Sequence, residues 1–153
     1  MTRQIHREGD PVGTLRQLLD GQVLGVLGSQ YQGAPYLNLV AFAPADGIRK
    51  LIFATPRSTR KYRNIVSDGR SSMLVDNRDN TPNDFVDAAA ATAIGVCREL
   101  EGEERRAMSR LLLSRHPQLI EFVNSPSCAV MELDVERYIL VWRFQQVVEI
   151  RPE

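Results

Sequence analysis

The feature that most constrains this chain is the stretch from Leu51 to Asn77, LIFATPRSTRKYRNIVSDGRSSMLVDN. It opens on Leu51-Ile52-Phe53-Ala54, an apolar run of the length a buried strand needs. Pro56 interrupts the run, and Ser58 or Thr59 then offers a hydroxyl that can accept a backbone N–H and cap a helix. That helix carries Arg60, Lys61, Tyr62, Arg63 and Asn64, Gly69 can stop it, and Met73-Leu74-Val75 reads as the next strand. A strand thus delivers the chain to free N–H groups, two hydroxyls and an Arg-Lys pair, a chemistry suited to a dianionic phosphate. A capped, cationic surface helix with no ligand has the same spacing. So does a nucleic-acid contact, because Arg57, Arg60, Lys61 and Arg63 surround the aromatic Tyr62. The whole chain speaks against that last reading: 19 Lys+Arg balance 19 Asp+Glu, and no extended basic surface is evident.

Other bulk properties narrow the class. A chain of 153 residues fits one domain, 1–153, with a sizeable core. No apolar run approaches the ~20 residues of a membrane span, and the polar start MTRQIHREGDP is not a secretory signal. Cys97 and Cys128 form no Cys-x-x-Cys pair and read as two buried thiols of a cytoplasmic protein. His6 and His116 are the only histidines and neither sits in a ligand-spaced cluster, so no metal site is expected.

Taken in order, residues 1–11 read as an extended lead-in. Val12, Leu15, Leu18 and Leu19 fall on one face of a helix that Gly21 ends. Gln22–Ser29 and Tyr36–Ala43 read as strands around a Gln32-Gly33-Ala34-Pro35 turn, and Ala45-Asp46-Gly47 turns into a strand starting near Arg49. These three strands predict a meander that opens an antiparallel barrel. Arg78–Asp84 is a polar loop. Glu101–Arg115 is a helix with Ala107, Met108, Leu111 and Leu112 on one face, and Pro117 opens another with Leu119, Ile120 and Val123 inward. His116 reads as a capping or packing residue. Two β-branched runs, Cys128–Leu133 and Tyr138–Ile150, close the chain around a corner at Glu136-Arg137. The expected class is mainly β, a barrel of about seven strands with two or three added helices.

Leu51–Asn77, with the upstream GQVLGVLGSQYQGAPYLNLVAF, resembles the FMN-binding split-barrel family related to pyridoxamine 5′-phosphate oxidase. The sharpest motif is Thr55 through Asn64; RHPQLIEF and LVWRFQQVVEI resemble the family more loosely. The resemblance covers most of the chain, and with it the phosphate reading of Ser58–Lys61 overtakes the plain surface helix. It also implies that Phe85–Leu100 is a long strand, against the helix preference of Ala88–Ala91, its small side chains leaving room beside a flat ligand.

The resemblance implies FMN in a cleft at a homodimer interface. By position, Arg60 and Lys61 would grip the phosphate, assisted by Ser58 and Thr59. Asn38, Leu39, Val40 and Ala41 would border the isoalloxazine ring, mostly through backbone groups, with Phe53, Ala54 and Thr55 as the adjoining floor. Asp76 and Asn77 would reach the ribityl chain or the ring edge. The implied activity is two-electron or hydride transfer to a small molecule, the flavin carrying the chemistry. A deazaflavin presents the same phosphate and tricyclic ring and is the alternative cofactor; a non-catalytic flavin binder or a dimeric interaction protein are the alternative roles. No Ser-His-Asp, Cys-His or paired-carboxylate arrangement points to hydrolysis. The pattern departs from true pyridoxamine phosphate oxidases at Asn38 and Ala43, where they carry cations, and at Trp142-Arg143-Phe144-Gln145-Gln146, where they carry Trp-x-x-x-Arg. These departures speak against vitamin B6 oxidation. Trp142 reads as an aromatic filling the dimer interface.

Overall fold

A computed structural model describes residues 9–153; His6 and most of the lead-in lie outside the described residues. Helix α1 (Pro11–Gly21) starts where the Asp10 carboxylate accepts the Gly13 N–H at 2.8 Å, and it buries Leu15, Leu18 and Leu19. Strands β1 (Leu24–Tyr31) and β2 (Ala34–Ala41) form a hairpin. Its two turn residues, Gln32 and Gly33, both have positive φ (51° and 83°), the twist that a two-residue hairpin needs. Phe42 separates β2 from β3 (Ala43–Ala45), and a turn from Asp46 leads into β4 (Lys50–Pro56). Then come α2 (Arg60–Ser67), β5 (Arg70–Asp76), the short α3 (Asp84–Asp87), β6 (Ala90–Glu99) and α4 (Gly102–Arg115). A 3-10 turn at Pro117–Leu119, α5 (Ile120–Asn124), β7 (Cys128–Trp142) and β8 (Gln146–Ile150) complete the order.

All strand pairs are antiparallel, in the order β2-β1-β5-β6-β7-β4-β3, with β8 added on β7. The strands at the two ends of this order, β2 and β3, are consecutive in sequence with only Phe42 between them. A flat sheet cannot bring its edges within one residue of each other, so the sheet curls into a barrel. The expected mainly-β barrel is therefore present, with eight strands among the described residues. The expected meander is not. β4 does not pair with β2; it lies between β7 and β3, matched to β7 over its whole length. The continuous apolar run says that β4 is buried, and says nothing about which neighbour takes its backbone hydrogen bonds.

Three other expectations are corrected. Glu136-Arg137 is not a corner: β7 runs unbroken from Cys128 to Trp142. Ile94 pairs with Arg137 and Gly95 with Val135, so Glu136 is the extra residue of a bulge. The reversal comes later, at Arg143, Phe144 and Gln145, all with positive φ. The strand read over Phe85–Leu100 starts only at Ala90, because the Asp84 carboxylate accepts the N–H groups of Asp79 and Thr81 and folds its own residues into α3. From Ala90 onward the chain is strand despite its alanines, and Ala91 and Ala93 point into the core. Ile120, expected inward, is exposed, while Val123 of the same helix is buried. His116 ends α4 and opens the following turn, as its capping role predicts.

The core has two parts. Leu27, Phe53, Met73, Met131 and Tyr138 fill the barrel with α1 against it. On the other face of β4 and β7, Ile52 and Val130 pack with Leu100, Leu112 and Val123 under α4 and α5. The thiols of Cys97 and Cys128 are free and buried, and burial pushes Cys97 up to about 12. No helix among the described residues is long and apolar enough to cross a membrane.

Helix α2 is held rigidly. The Thr59 hydroxyl accepts the Tyr62 N–H at 3.3 Å, which settles the cap on Thr59 rather than Ser58. Buried Asn64 donates to Ser29 Oγ of β1 at 3.1 Å. The Tyr62 hydroxyl and Arg57 both donate to Glu99 at the end of β6, at 2.6 and 2.7 Å. The Arg57 hydrogen bond, aided by that of Tyr62, holds the Glu99 carboxyl below the usual glutamate range.

Two outcomes follow from this architecture. A Cβ at Gly95 would overlap the Asp134 carbonyl at the bulge, so Gly95→Ala should lower unfolding stability by about 1–3 kcal/mol or more, read from urea midpoints. Glu99 is depressed in the folded state, so its contribution is fully present above the unfolded carboxyl pKa of roughly 4–5 and is lost as pH falls through the folded value. Urea midpoints measured from pH 7 down to pH 3 should therefore fall less steeply for Glu99→Gln than for the unmodified chain; parallel curves would remove Glu99 from the acid response.

Candidate functional site

β2 and β3 are one extended run broken at Phe42. The β3 half stays on β4, pairing Ala43 with Ile52 and Ala45 with Lys50. The β2 half peels away to pair with β1 alone. Across the resulting split, residues 38–41 of β2 face residues 53–55 of β4, and each strand shows the other an edge with no strand partner. Cα atoms of the two strands still approach within 8 Å. Open backbone edges inside a fold are ready hydrogen-bonding surfaces. The two segments singled out in the sequence for the ring, Asn38–Ala41 and Phe53–Thr55, are the two lips of this split.

Which groups the lips can offer is set by the pleat. Asn38 lies in one cross-strand row with Leu27, Met73, Ala93 and Tyr138, so its side chain faces the barrel interior. Its Oδ1 is buried and accepts no hydrogen bond, while its Nδ2 donates only a long 3.4 Å contact to the Leu39 carbonyl. A buried acceptor left unmet costs free energy on the order of 1–3 kcal/mol, so the position suits a ligand N–H or O–H. Leu39 points outward and Val40 inward. Phe53 and Thr55 are fully buried, and Ala54 packs toward α4, so the β4 lip offers backbone groups. The Thr55 hydroxyl is tied to Thr59 Oγ1 at 2.7 Å.

At the end of β4 the chain enters α2, whose first turn collects charge. Arg60, Lys61 and Arg63 have no carboxylate within ion-pair distance among the described residues, whereas the nearby Arg57, Arg70 and Arg78 are each paired, with Glu99, Asp68 and Asp76. Lys61 stands on the helix face of Asn64 and Ile65, which are buried, and burial pulls its ammonium below the ordinary lysine range. Arg60 lies over the ring of Tyr36, its guanidinium carbon 5.4 Å from the ring centre. Ser58 is exposed, and the Thr59 hydroxyl is committed to the cap and to the Pro56 carbonyl at 2.9 Å. Three cations without a carboxylate partner thus stand at a helix start, where free backbone N–H groups also favour negative charge.

The remaining sequence-predicted residues lie elsewhere. Asp76 ends β5 on the outer face of the sheet, in a row with Ala90, Val141 and Val147, and pairs with Arg78 at 3.1 Å. Asn77 closes the β5–β6 connection, its Oδ1 accepting the Ala89 N–H at 2.8 Å. Trp142 is buried at the end of β7 with Arg143 over its ring, 4.7 Å from the centre. The buried His116 gives its Nε2 hydrogen to the Phe42 carbonyl at 2.7 Å. No group of three or more His, Cys, Asp or Glu that could hold a metal is found among the described residues. Sequence reasoning did not connect Tyr36 with Arg60. No local signal could have joined residues so far apart; the packing of α2 on the β1–β2 hairpin does it.

The profile of the family described as Pyridoxamine 5′-phosphate oxidase matches residues 12–142. No curated protein sequence is similar enough to match. Among solved structures, the chain is similar to a heme binding protein from Mycobacterium smegmatis, with a TM-score of 0.83 at 18% identity over 96% of this chain and 60% of that one. It is also similar to General Stress Protein 26 from Bacillus anthracis, with a TM-score of 0.70 at 16% identity over 94% and 99% of the two chains. A fad-binding protein from Mesorhizobium loti gives a TM-score of 0.65 at 17% identity over 83% and 89%. At such identities the structures speak to the fold alone, and this chain spans about three fifths of the length of the heme binding protein. The profile match covers most of the chain, split and cationic helix included: the chain belongs to the pyridoxamine 5′-phosphate oxidase family.

Proposed function

We propose that the chain is a flavoprotein, with the cofactor phosphate at the start of α2 and its ring in the split between β2 and β4. The observation that carries this reading is the group of three cations, Arg60, Lys61 and Arg63, that have no carboxylate beside the mouth of the split. Arg60 and Lys61 neutralise the phosphate dianion, Ser58 adds an exposed hydroxyl, and Thr59 contributes by holding the helix start open as its cap. The unmet Asn38 Oδ1 and the free edges of residues 38–41 and 53–55 take the polar rim of the ring. FMN is the cofactor the resemblance implies, and a deazaflavin with the same phosphate and ring is the alternative. When bound, such a cofactor supplies two-electron or hydride transfer to a small molecule, and the protein orients it and excludes water. A flavin store or sensor without turnover would use the same residues.

The reading extends to a homodimer. Leu39, Val26, Leu74, Thr92 and Ile139 form one cross-strand row on the outer face, which ends on Glu149, next to the row of Asp76, Ala90, Val141 and Val147. Leu37 and Leu39 are 67% and 64% exposed, and a broad apolar face of this kind marks an association surface. A second copy on this face borders the split through Leu39 and Ala41 and brings its own Asp76 near. That is the route by which Asp76 serves the cofactor.

Replacing Arg60 and Lys61 together by Ala should leave the far-ultraviolet dichroism unchanged and weaken FMN binding by about 3–6 kcal/mol, at ~1.5–3 per charge-assisted contact. Equal affinity in a fluorescence titration would remove the phosphate assignment. The visible spectrum of the purified protein, with mass identification of what heat releases, separates flavin from deazaflavin. In sedimentation, Leu37→Glu/Leu39→Glu should run as a monomer with weakened flavin binding; an unchanged dimer would move the interface off this face.

A further inference from the structure

Between α4 and α5, on the side of β4 and β7 away from the barrel core, lies an open cleft of about 500 Å³. Arg105, Arg106 and Arg110 line it with Ser109 and Asn124, and no Asp or Glu is among its described lining. Leu113 and the buried Val123 add apolar surface. The cleft beside the end of the chain, by contrast, mixes Arg16, Arg49 and Arg151 with Asp46 and Glu153. Helical spacing brings the cations together. Arg106 and Arg110 stand at i and i+4, as do Arg105 and Ser109, and Leu113 continues the second row. Like charges so spaced repel, so the helix itself gains nothing from the arrangement. Arg106 is paired with Glu103 of its own helix, one turn back. Arg105 and Arg110 have no carboxylate within ion-pair distance among the described residues. Arg105 gives one N–H to the Cys128 carbonyl at 3.0 Å, which anchors its guanidinium and leaves its other donors for a ligand.

We propose that this cleft is a second binding site, for a small organic dianion. Its head, a phosphomonoester or a pair of carboxylates, sits between Arg105 and Arg110, and its apolar body covers Leu113 and Val123. Two guanidiniums without acidic partners match two negative charges, each through a fork of N–H donors. The Ser109 hydroxyl and the Asn124 amide supply further hydrogen bonds to the head. Volume sets the rest. The cleft falls in the ~300–1,000 Å³ range of small-molecule sites, more than an inorganic ion fills, and its apolar residues gain only from a ligand with a hydrophobic part. None of these residues belongs to the flavin site proposed above.

Isothermal titration of the full chain with inorganic phosphate, phenyl phosphate, phthalate and benzyl alcohol tests this. Phenyl phosphate or phthalate should bind about tenfold tighter than inorganic phosphate, through the ring on Leu113 and Val123, and benzyl alcohol should not bind. Arg110→Gln, at an exposed position, should weaken the favoured anion about tenfold or more, the loss of one charge-assisted contact. Ser109→Asp, which brings a negative charge into the cleft, should abolish binding, and Arg60→Ala/Lys61→Ala should leave it unchanged. A preference for phenyl phosphate assigns the cleft to phosphomonoesters, and a preference for phthalate assigns it to dicarboxylates. Equal binding of phenyl and inorganic phosphate would overturn the proposal, leaving a cationic surface with no seat for an organic body. So would binding that survives Arg110→Gln and is lost in Arg60→Ala/Lys61→Ala, which would place the anion at α2. Absence of binding by all four compounds would overturn it as well, while FMN titration of the same sample decides the flavoprotein reading separately.

Discussion

Phe42 is the point at which one extended run of chain must serve two sets of partners, and its pinning supports the rest of the fold. Its side chain is fully buried, its carbonyl accepts from His116, and its ring lies under the Arg115 guanidinium, 5.1 Å away. Arg115 also donates to the carbonyls of Leu19, at 2.8 Å, and of Gln22, so one charged side chain satisfies the exposed end of α1 while covering the junction. The C-terminal end of α4 thus clamps the place where β2 leaves β4. Without that clamp the β3 pairing could run on into β2, and the split would close by ordinary ladder hydrogen bonds.

Keeping the split open has an energetic consequence. Backbone groups on both lips and the Asn38 oxygen give up partners that a continuous sheet would supply. A buried polar group of this kind calls for a partner, which an ordered water, an ion or a ligand can supply. The same logic applies to the charge at α2. Elsewhere several surface arginines are paired with acids, as Arg98 is with Glu104 and Arg70 with Asp68, whereas the first turn of α2 gathers three cations with no carboxylate within ion-pair distance among the described residues. Polar and charged deficits therefore lie next to each other, in a helix held still by the Thr59 cap and by the Arg57–Glu99–Tyr62 cluster.

Much of this was legible in the chain. The boundaries of α1, α2 and α4 follow from apolar spacing and caps, and a turn at Gln32-Gly33 was legible, although Ala34 and Pro35, read as part of it, already belong to β2. The cationic site was legible because its residues are local: Ser58 to Arg63 are contiguous, and their helix has to start there. Where Asp76 and Asn77 fall in the tertiary structure was not legible, since sequence position near a strand end does not reveal which face, or which loop, a side chain serves. The supposed corner at Glu136-Arg137 turned out to be a bulge because two adjacent polar residues read alike in either case; only Gly95 on the opposite strand distinguishes them.

The sequence by itself determined most of the local elements and the chemistry of the α2 start, because those depend on periodicity and on groups within a few residues of one another. Tertiary structure alone decided that β4 joins β7 instead of β2, that the lips of a split face each other, and that Tyr36 lies beneath Arg60. Strand pairing is made by backbone groups that every residue shares. The choice of partner is therefore set by how the whole barrel closes and what packs around it.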